Sequence, residues 1–518
     1  MQKYVYNRGM NFKRNLFVIT SALVGALALT GCDFSIGKKF THFNYIEVPQ
    51  DDHERITGDG YLKIGDYKPF KILNMDAEVV ELGSAYETFR DYGGNSNIPS
   101  TGEQKIIVVP VAFKDYGVDK LDLSKEQFIN ELNRAFFGNS KNNEFVSVGE
   151  YFNKSSYGKL RLDGKVCDQI YEFPLSISEI KEKKLKRETL ANKYYGEVLS
   201  WYKKTYGEND LKKYEIEGLE EGKNVPIYMV YTYPSEEKTT EDPENFFWAY
   251  TFSETPLSWS SYSFASQGYG LPDAHTYIHE TGHLLGLVDY YPTLEPKNEE
   301  TVVIEPTSFI DMMDASVGDE TGFSKMFLNW TRPTYVTDDC KILVRSFTET
   351  GDLILVAPTW NETVFDEYYL IEFYTPTGLN TYDVSVGNNL VKLPKLPGFK
   401  IYHVDARLAH VSANRTPIGY CSNIAFTPTS TSVGFAHDNN TYDEPNDFQK
   451  NYLYQLILNN SKDVQITYAT DSNLFRAGDE IPELKFNTGE EFDLKISIET
   501  VAFTHAVLKF EKPQKTKK

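Results

Sequence analysis

Residues 279–289 read His-Glu-Thr-Gly-His-Leu-Leu-Gly-Leu-Val-Asp, and this stretch decides how the surrounding fold is interpreted. His279 and His283 are four residues apart, so a helix presents both imidazoles on one face, one turn apart. Two imidazoles at that spacing can bind one zinc ion. Glu280 is rotated by about 100° from His279 around such a helix, which places its carboxylate beside the ion, where a general base belongs.

The end of the stretch supplies a third ligand. A catalytic zinc ion needs three protein ligands and one open position for water. Gly286 permits a left-handed turn that ends a helix and reverses the chain, and Asp289 follows three residues later, where the reversed chain passes the ion again. Chance alone places His-Glu-x-x-His in roughly one chain of this length per hundred, and the two added positions make coincidence much rarer. We therefore predict that His279, His283 and Asp289 bind Zn²⁺, with Glu280 as the catalytic base.

A family resemblance rests on this motif and on others along the chain. The stretch His279–Asp289, together with Asp311-Met-Met-Asp314, resembles the immune inhibitor A-type family of bacterial metallopeptidases, which are metzincin-like. The commoner metzincin pattern has a third histidine where this chain has Asp289, whereas the immune inhibitor A-type pattern has aspartate there. The likeness covers most of residues 105–335 and reaches two later elements. The stretches that carry it are Ile106–Phe113, Val148–Val166, Gly322–Pro333, Tyr368–Glu372 and Pro397–Asp405.

The resemblance implies a fold, a cofactor and an activity. It implies a metzincin-like peptidase domain in which Met313 lies in the Met-turn, an apolar floor beneath the zinc ligands. The expected reaction is hydrolysis of peptide bonds within proteins by a zinc-activated water, with Glu280 as the general base. Two alternatives stay open. One is a non-catalytic surface lipoprotein, an adhesin or scaffold on a protease-like fold, and the other is a zinc amidase acting on cell-wall peptide.

The first 32 residues have the features of an export signal. Four basic residues precede an apolar run from Leu16 to Thr30, which is shorter than the ~20 residues of a membrane-spanning helix. The run ends in Leu29-Thr30-Gly31-Cys32, which resembles the bacterial lipobox, in which the cysteine becomes the lipidated first residue of the mature protein. We therefore predict lipidation at Cys32 and an exported protein that is lipid-anchored to the cell membrane on its extracytoplasmic side.

The charge of the chain argues against nucleic acid as a partner. The formal net charge is −21, and removal of the basic signal peptide makes the exported chain more acidic still. Such a surface repels phosphate backbones. The expected partners are therefore a protein or peptide substrate and, through Cys32, the membrane.

Changes in composition divide the chain into four regions. These are a lipoprotein signal peptide with lipobox (1–32), a tether and N-terminal prodomain-like segment (33–104), a zinc metallopeptidase domain (105–338) and a β-rich C-terminal region (339–518). In the last region, short alternating runs are separated by Gly, Asn, Pro and Thr turns, a pattern that favours a sandwich-like arrangement. The expected strands are Lys341–Phe347, Leu353–Ala357, Tyr368–Phe373, Phe399–Val404 and Ala506–Phe510. The predicted fold class is α+β.

Local patterns within the peptidase region predict both strands and helices. Lys105–Phe113 is a short apolar run typical of a buried strand, and Pro110 within it favours an edge position or a bulge. Ser124-Lys-Glu-Gln127 forms a capping box ahead of a helix, and the start signal recurs at Ser147. The two further elements expected here are a helix over residues 185–204 and a strand over Val225–Tyr233.

Other residues near the motif are weaker candidates for metal binding. His275 lies four residues before His279, but as a fourth ligand it would fill the position that water needs. A downstream glutamate, Glu299 or Glu300, could act as the third ligand in a gluzincin-like arrangement. That arrangement leaves the position of Asp289 unexplained.

The C-terminal region holds two polar groups of interest. His403 and Asp405 lie two apart in a predicted strand, where a structural hydrogen-bond pair is favoured over a second metal site. The acidic loop Asp438–Asp447 is a candidate Ca²⁺ site, but it lacks the EF-hand pattern, and a solvated loop is the favoured interpretation. Three further cysteines form no Cys-x-x-Cys motif and are expected to be small buried residues: Cys167, Cys340 and Cys421.

Overall fold

The structure is a computed structural model, and it describes most of the chain. The described residues are 40–46, 67–68, 72–73, 79–80, 98–142, 145–217, 219, 221–234, 244–252, 255–263, 272, 274–292, 305–314, 316–361, 363–385, 394–412, 417–421, 433–440, 451–459 and 468–512. The predicted signal peptide with Cys32, the alternative ligands Glu299 and Glu300, and most of the acidic loop Asp438–Asp447 lie outside these residues.

The described chain contains both strands and helices. The strands are β1 (Tyr67–Lys68), β2 (Ile72–Leu73), β3 (Val79–Val80), β4 (Gly102–Ala112), β5 (Leu160–Val166), β6 (Tyr171–Glu172), β7 (Ile227–Tyr231), β8 (Tyr250–Thr251), β9 (Leu257–Ser261), β10 (Thr334–Val336), β11 (Cys340–Arg345), β12 (Leu353–Val356), β13 (Glu367–Tyr374), β14 (Gly398–Asp405), β15 (Leu408–Val411), β16 (Pro417–Tyr420), β17 (Val433–Phe435), β18 (Tyr454–Ile457), β19 (Lys495–Val501) and β20 (His505–Glu511). The α-helices are α1 (Lys125–Phe137), α2 (Val148–Ser155), α3 (Ile177–Lys183), α4 (Tyr195–Tyr206), α5 (Glu208–Leu211), α6 (Ala274–Leu284), α7 (Gly322–Phe327), α8 (Phe347–Thr350) and α9 (Thr381–Ser385).

Backbone contacts group the chain into two compact units. The first contains Asn95–Asn153 and Leu160–Gly286 with the segment up to Tyr45, and the second contains Ile46–Gly94, Lys154–Lys159 and Leu287–Lys518. Several separate sheets occur together with helices, which confirms a mixed α and β fold compatible with the α+β class. Within the described ranges, no helix combines the length and apolar character needed to cross a membrane. The division predicted at residues 338 and 339 stays a prediction.

A mostly parallel sheet forms the centre of the first unit. Its strand order is β5-β4-β7-β9-β8, and β6 also pairs with β4. The pairs β4–β5, β4–β7 and β7–β9 are parallel, whereas β8 joins the edge antiparallel to β9. Strands β7 and β9 are buried along their whole length, as expected for strands covered on both faces. The predicted strands Lys105–Phe113 and Val225–Tyr233 are thus confirmed as β4 and β7.

Pro110 lies in an interior strand rather than at the edge of the sheet, which corrects the prediction. On one side of β4, pairing with β5 reaches only as far as Val108, and pairing with β6 begins at Val111. Pro110 faces this side, because it alternates with Val108 and Ala112, whose carbonyl oxygens accept hydrogen bonds there. It therefore falls in the gap between two partner strands, where its missing N–H removes no ladder hydrogen bond.

The two predicted helix starts are present, one completely and one in part. At α1, Ser124 Oγ accepts from Gln127 N, and Gln127 Oε1 accepts from Ser124 N, so the capping box is confirmed. At α2, Ser147 Oγ accepts from Glu150 N at 3.4 Å. The Glu150 carboxylate bonds to Ser140 instead of returning to Ser147. The second signal therefore starts a helix without closing a capping box.

The helix predicted over residues 185–204 corresponds to α4, which a π-helical segment at Leu190–Tyr194 precedes. One apolar face of this helical region packs into the core around the parallel sheet. The buried residues of that face are Tyr194, Val198 and Tyr202. Phe173 belongs to the same core, and its ring centroid lies 4.5 Å from that of Tyr194. Sheet and helix therefore share one apolar core that is rich in aromatic rings.

Antiparallel sheets dominate the second unit. The main sheet has the order β1-β10-β12-β13-β14-β18, in which β10 and β12 are parallel and the other pairs antiparallel. Two further sheets, β11-β20-β19 and β16-β15-β17, are antiparallel. The five strands predicted beyond residue 339 are confirmed as β11, β12, β13, β14 and β20. The β-rich character is therefore confirmed, and a sandwich-like packing stays a prediction.

Candidate metal centre

Helix α6 carries both histidines and the glutamate of the motif. Tyr277 fixes this helix within the first unit: its ring stacks on that of Phe136 with centroids 5.0 Å apart, and its hydroxyl lies within hydrogen-bond distance of the carbonyl oxygens of Ser261 and Tyr262. A second stripe of the same stretch is buried along its length and comprises Ile278, Gly282 and Leu285. The core therefore sets the rotation of the helix and, with it, the direction in which the histidines point.

The two histidine rings lie next to each other at right angles. Their centroids are 4.9 Å apart, and the angle between the ring planes is 90°. His279 is buried, with 3% of its surface exposed, and His283 is half-buried. The spacing of four residues thus brings the rings together as predicted.

A left-handed turn follows the helix at the predicted position. Gly286 has φ of +98°, a conformation that is strained for any residue with a Cβ atom. Its N–H donates to the carbonyl oxygen of His283 at 3.0 Å, and the carbonyl oxygen of Leu284 accepts from Ile98 N at 2.9 Å. The end of the helix is therefore closed by backbone hydrogen bonds, and the chain turns back toward the histidines.

Asp289 comes close to the two histidines after this turn. One ligand atom from each of His279, His283 and Asp289 lies within 4.8 Å of the other two. Among the described residues, these three form the one group of His, Cys, Asp or Glu side chains that meets this spacing, and His275 is not part of it. Two imidazole nitrogens and one carboxylate oxygen are ligand types that zinc accepts. The donor chemistry of the group therefore fits a zinc ion.

Contacts to the main chain hold the segment that carries Asp289. Tyr290 N donates to the carbonyl oxygen of Met313 at 3.0 Å. Asn440 Nδ2 donates to the carbonyl oxygens of Asp289 at 3.1 Å and Tyr291 at 2.9 Å. Sequence reasoning placed Asn440 in a solvated or calcium-binding loop and missed this contact, because an amide that binds irregular backbone leaves no pattern in a sequence. A Ca²⁺ site in that loop stays a prediction.

Met313 lies in the turn Asp311–Asp314, whose hydrogen bonds converge on Asp311. Asp311 Oδ1 accepts from Met313 N at 2.8 Å, and Oδ2 accepts from both the N–H (3.1 Å) and the hydroxyl of Thr321. The Met313 side chain is fully buried, as a residue in an apolar floor must be. Its carbonyl oxygen, which supports Tyr290, links the turn to the segment of Asp289. The assignment of a Met-turn stays a prediction.

The carboxyl group of Asp314 titrates far from its ordinary range. Burial raises the pKa of Asp314 to about 7, and the nearby charges of Asp311 and Asp289 act in the same direction. The hydroxyl of Thr307, which donates to Asp314, lowers the pKa. A bound cation near Asp289 would also lower it, because a positive charge favours the ionised carboxylate.

Glu280, the predicted base, is buried with 5% of its surface exposed. Its Oε2 atom lies 2.8 Å from the hydroxyl oxygen of Thr251 on the edge strand β8. Thr251 was not among the predicted site residues, because a strand of two residues has no readable periodicity. The structure thus adds a hydrogen-bond partner to the predicted base.

His403 and Asp405 do not pair with each other, which corrects the prediction. His403 Nε2 bonds to Glu367 Oε1 at 2.8 Å. Both oxygens of Asp405 accept from Arg407 at 2.7 Å, and Oδ2 lies 3.2 Å from His437 Nε2. Partners from neighbouring strands and loops are available to both side chains, which spacing within one strand cannot indicate.

The cysteines differ in burial. Cys167 is fully buried, as predicted, and burial raises the pKa of its thiol to about 12. Cys340 and Cys421 are half-buried instead. The expectation of small buried residues is therefore right for Cys167 alone.

Comparisons with known proteins do not assign the chain to a family. No protein-family model matches the chain, and no curated protein matches it. The resemblance to immune inhibitor A-type metallopeptidases therefore rests on the motifs and stays a prediction.

Proposed function

We propose that this chain is an exported, lipid-anchored zinc metalloendopeptidase that hydrolyses peptide bonds within proteins. The observation that carries the proposal is that His279, His283 and Asp289 lie in one group. Glu280, which follows His279 in the sequence, is buried. Three protein ligands leave one position of a tetrahedral zinc ion open, as catalytic sites require. A structural zinc site would close that position with a fourth protein ligand, and no such ligand joins the group in the described part of the chain.

The proposed reaction divides metal binding and proton transfer between these residues. When bound, zinc supplies the Lewis acidity that makes water a nucleophile near neutral pH. Glu280 takes a proton from the attacking water and returns it to the nitrogen of the leaving amine. The burial of Glu280 excludes bulk water that would compete for its carboxylate oxygens.

We further propose that the domain is metzincin-like and of the immune inhibitor A type. Three features support this assignment. They are the left-handed conformation of Gly286, the carboxylate ligand type at Asp289, and a buried Met313 in a turn that bonds to Tyr290. Met313 would then provide the apolar floor of the site.

The membrane anchor in this proposal is a lipid on Cys32. Its support is the order of basic residues, apolar run and Leu-Thr-Gly-Cys at the start of the sequence. The peptidase would act on proteins or peptides at the extracytoplasmic side of a cell membrane.

Replacement of the base tests the proposed activity. Glu280→Ala is expected to leave zinc content and unfolding temperature nearly unchanged while kcat for casein cleavage falls by about 10²–10⁴. Cleavage by the wild type is expected to stop when a chelator removes the metal. The matched control is Glu182→Ala, which removes an exposed glutamate from α3 and is expected to retain full activity.

Undiminished cleavage by the Glu280→Ala variant would rule out Glu280 as the base. A wild type that binds zinc but cleaves neither casein nor cell-wall peptide would instead support the non-catalytic surface lipoprotein. Cleavage of cell-wall peptide alone would identify the amidase.

A further inference from the structure

A pair of hydroxyl groups at the edge of the first unit's sheet reaches the proposed base. Thr251 on β8 is in register with Ser258 on β9, and their hydroxyl oxygens are 2.8 Å apart. The hydroxyl oxygen of Thr251 also lies 2.8 Å from Glu280 Oε2 and 2.9 Å from the Glu280 carbonyl oxygen. Ser258 is fully buried and Glu280 nearly so, so this row of hydrogen bonds is largely sheltered from water.

The number of hydrogen atoms available sets the direction of these bonds. An ionised carboxylate only accepts hydrogen bonds, and a threonine hydroxyl has one hydrogen to donate. The charged Oε2 of Glu280 is a stronger acceptor than the neutral carbonyl oxygen. When Glu280 is ionised, Thr251 therefore donates to Oε2, and Ser258 donates to Thr251. Bonds arranged in one direction polarise and strengthen each other.

We propose that Thr251, supported by Ser258, is a positioning residue for Glu280. This inference rests on the proposed function, since the orientation of Glu280 affects a rate only if Glu280 transfers protons. The terminal torsion of a glutamate side chain has a broad range. Thr251 engages Oε2 and so restricts rotation of the carboxylate that exchanges the proton with the attacking water.

The edge position of Thr251 allows this role to be separated from packing. β8 has two residues, and its pairing with β9 holds it through the main chain. Thr251 is half-buried, and valine has the same branched shape without the hydroxyl. Thr251→Val therefore removes the donor and keeps the strand, whereas Thr251→Ser keeps the donor and removes a methyl group.

The experiment compares these two variants with the wild type in casein cleavage. For Thr251→Val we expect kcat to fall about 10- to 100-fold, with KM, zinc content and unfolding temperature unchanged. Thr251→Ser is expected to restore most of the rate. A crystal structure of Thr251→Val is expected to show a rotated Glu280 carboxylate. The control is Thr205→Val, because the exposed Thr205 hydroxyl bonds to Trp201 O within its own helix.

Several results would overturn the proposal. One is a Thr251→Val enzyme with wild-type kcat and an unmoved Glu280 carboxylate. Another is an equal loss of activity in Thr251→Ser, or a loss of zinc or of stability in parallel with activity, since either shows a structural role. A failure of the proposed function is distinct, because the wild type itself would then cleave no peptide or amide bond.

Discussion

The core around the parallel sheet of the first unit and the interior around α7 in the second unit are built from different side chains. Around the parallel sheet of the first unit, the core is apolar and rich in aromatic rings; Trp259, for example, stacks on Tyr231 with ring centroids 4.4 Å apart. Around α7 in the second unit, the interior contains ionisable groups that are almost completely buried. These are Asp311, Asp319, Glu320, Lys325, Glu372 and Lys400.

The two kinds of interior stabilise the fold in different ways. Apolar burial stabilises without direction, so the first core can hold α6 firmly through many interchangeable contacts. Buried charges need partners at defined distances and angles. Lys325 Nζ donates to Asp319 at 2.6 Å and to the Tyr157 hydroxyl at 3.0 Å. Such bonds specify the positions of neighbouring segments, including the turn Asp311–Asp314 that supports Tyr290.

Glu320 is the least satisfied group of the charged interior. Its carboxyl group interacts with that of Asp311, and neither of its oxygens makes a hydrogen bond of ordinary geometry within the described structure. Burial raises the pKa of Glu320 well above its ordinary value, the charges of Asp311 and Asp319 add to this effect, and Lys325 opposes it. The contribution of the charged interior to stability should therefore depend on pH, whereas that of the aromatic core should not.

Removal of the buried cation Lys325 should have the largest effect on stability. Lys325→Met leaves Asp319 buried without its positive partner, so we expect the free energy of unfolding to fall by about 3–5 kcal/mol. Denaturant titration followed by circular dichroism measures this loss. Lys183→Met is the control, because Lys183 and Glu179 form a pair at the surface, where ion pairs contribute little to stability. If Lys325→Met were as stable as the control, the buried charges around α7 would not depend on their partners.

Neutralising Glu320 should change how stability depends on pH. Because folding raises the pKa of Glu320 above 4.5, its contribution to stability is complete below pH 4.5 and is lost as the pH rises toward the folded pKa. Glu320→Gln removes this loss, so we expect the variant to gain stability over the wild type between pH 5 and pH 8. Denaturant titrations across this range measure the slope, with Glu182→Gln as an exposed control. Equal slopes for Glu320→Gln and wild type would show that Glu320 is ionised in the folded protein.

The smallest effect is expected in the aromatic core. Ile107 is fully buried in β4, and Ile107→Val removes one methyl group at a site that neighbours can partly refill. We expect a loss of about 0.5–1.5 kcal/mol, equal at pH 5 and pH 8. The same titrations measure it. A loss that grows with pH would show that the two interiors are coupled and would weaken the comparison.

Sequence reasoning succeeded where the relevant geometry is local. The capping box at Ser124, the left-handed Gly286 and the adjacent rings of His279 and His283 each follow from a few consecutive residues. The prediction for Pro110 was wrong, because its surroundings depend on which strands pair on each side of β4. The prediction for His403 and Asp405 was also wrong, because their partners come from other elements.

The adjacency of the His279 and His283 rings could be read from the sequence, because a helix of 3.6 residues per turn sets the distance between positions four apart wherever the helix lies. The surroundings of these two rings depend on long-range folding instead. Thr251 bonds to Glu280 from an edge strand, and Asn440 bonds to the backbone of Asp289 from a loop far along the chain. These contacts join residues that are distant in sequence, and a hydrogen bond between them exists only after the chain has folded.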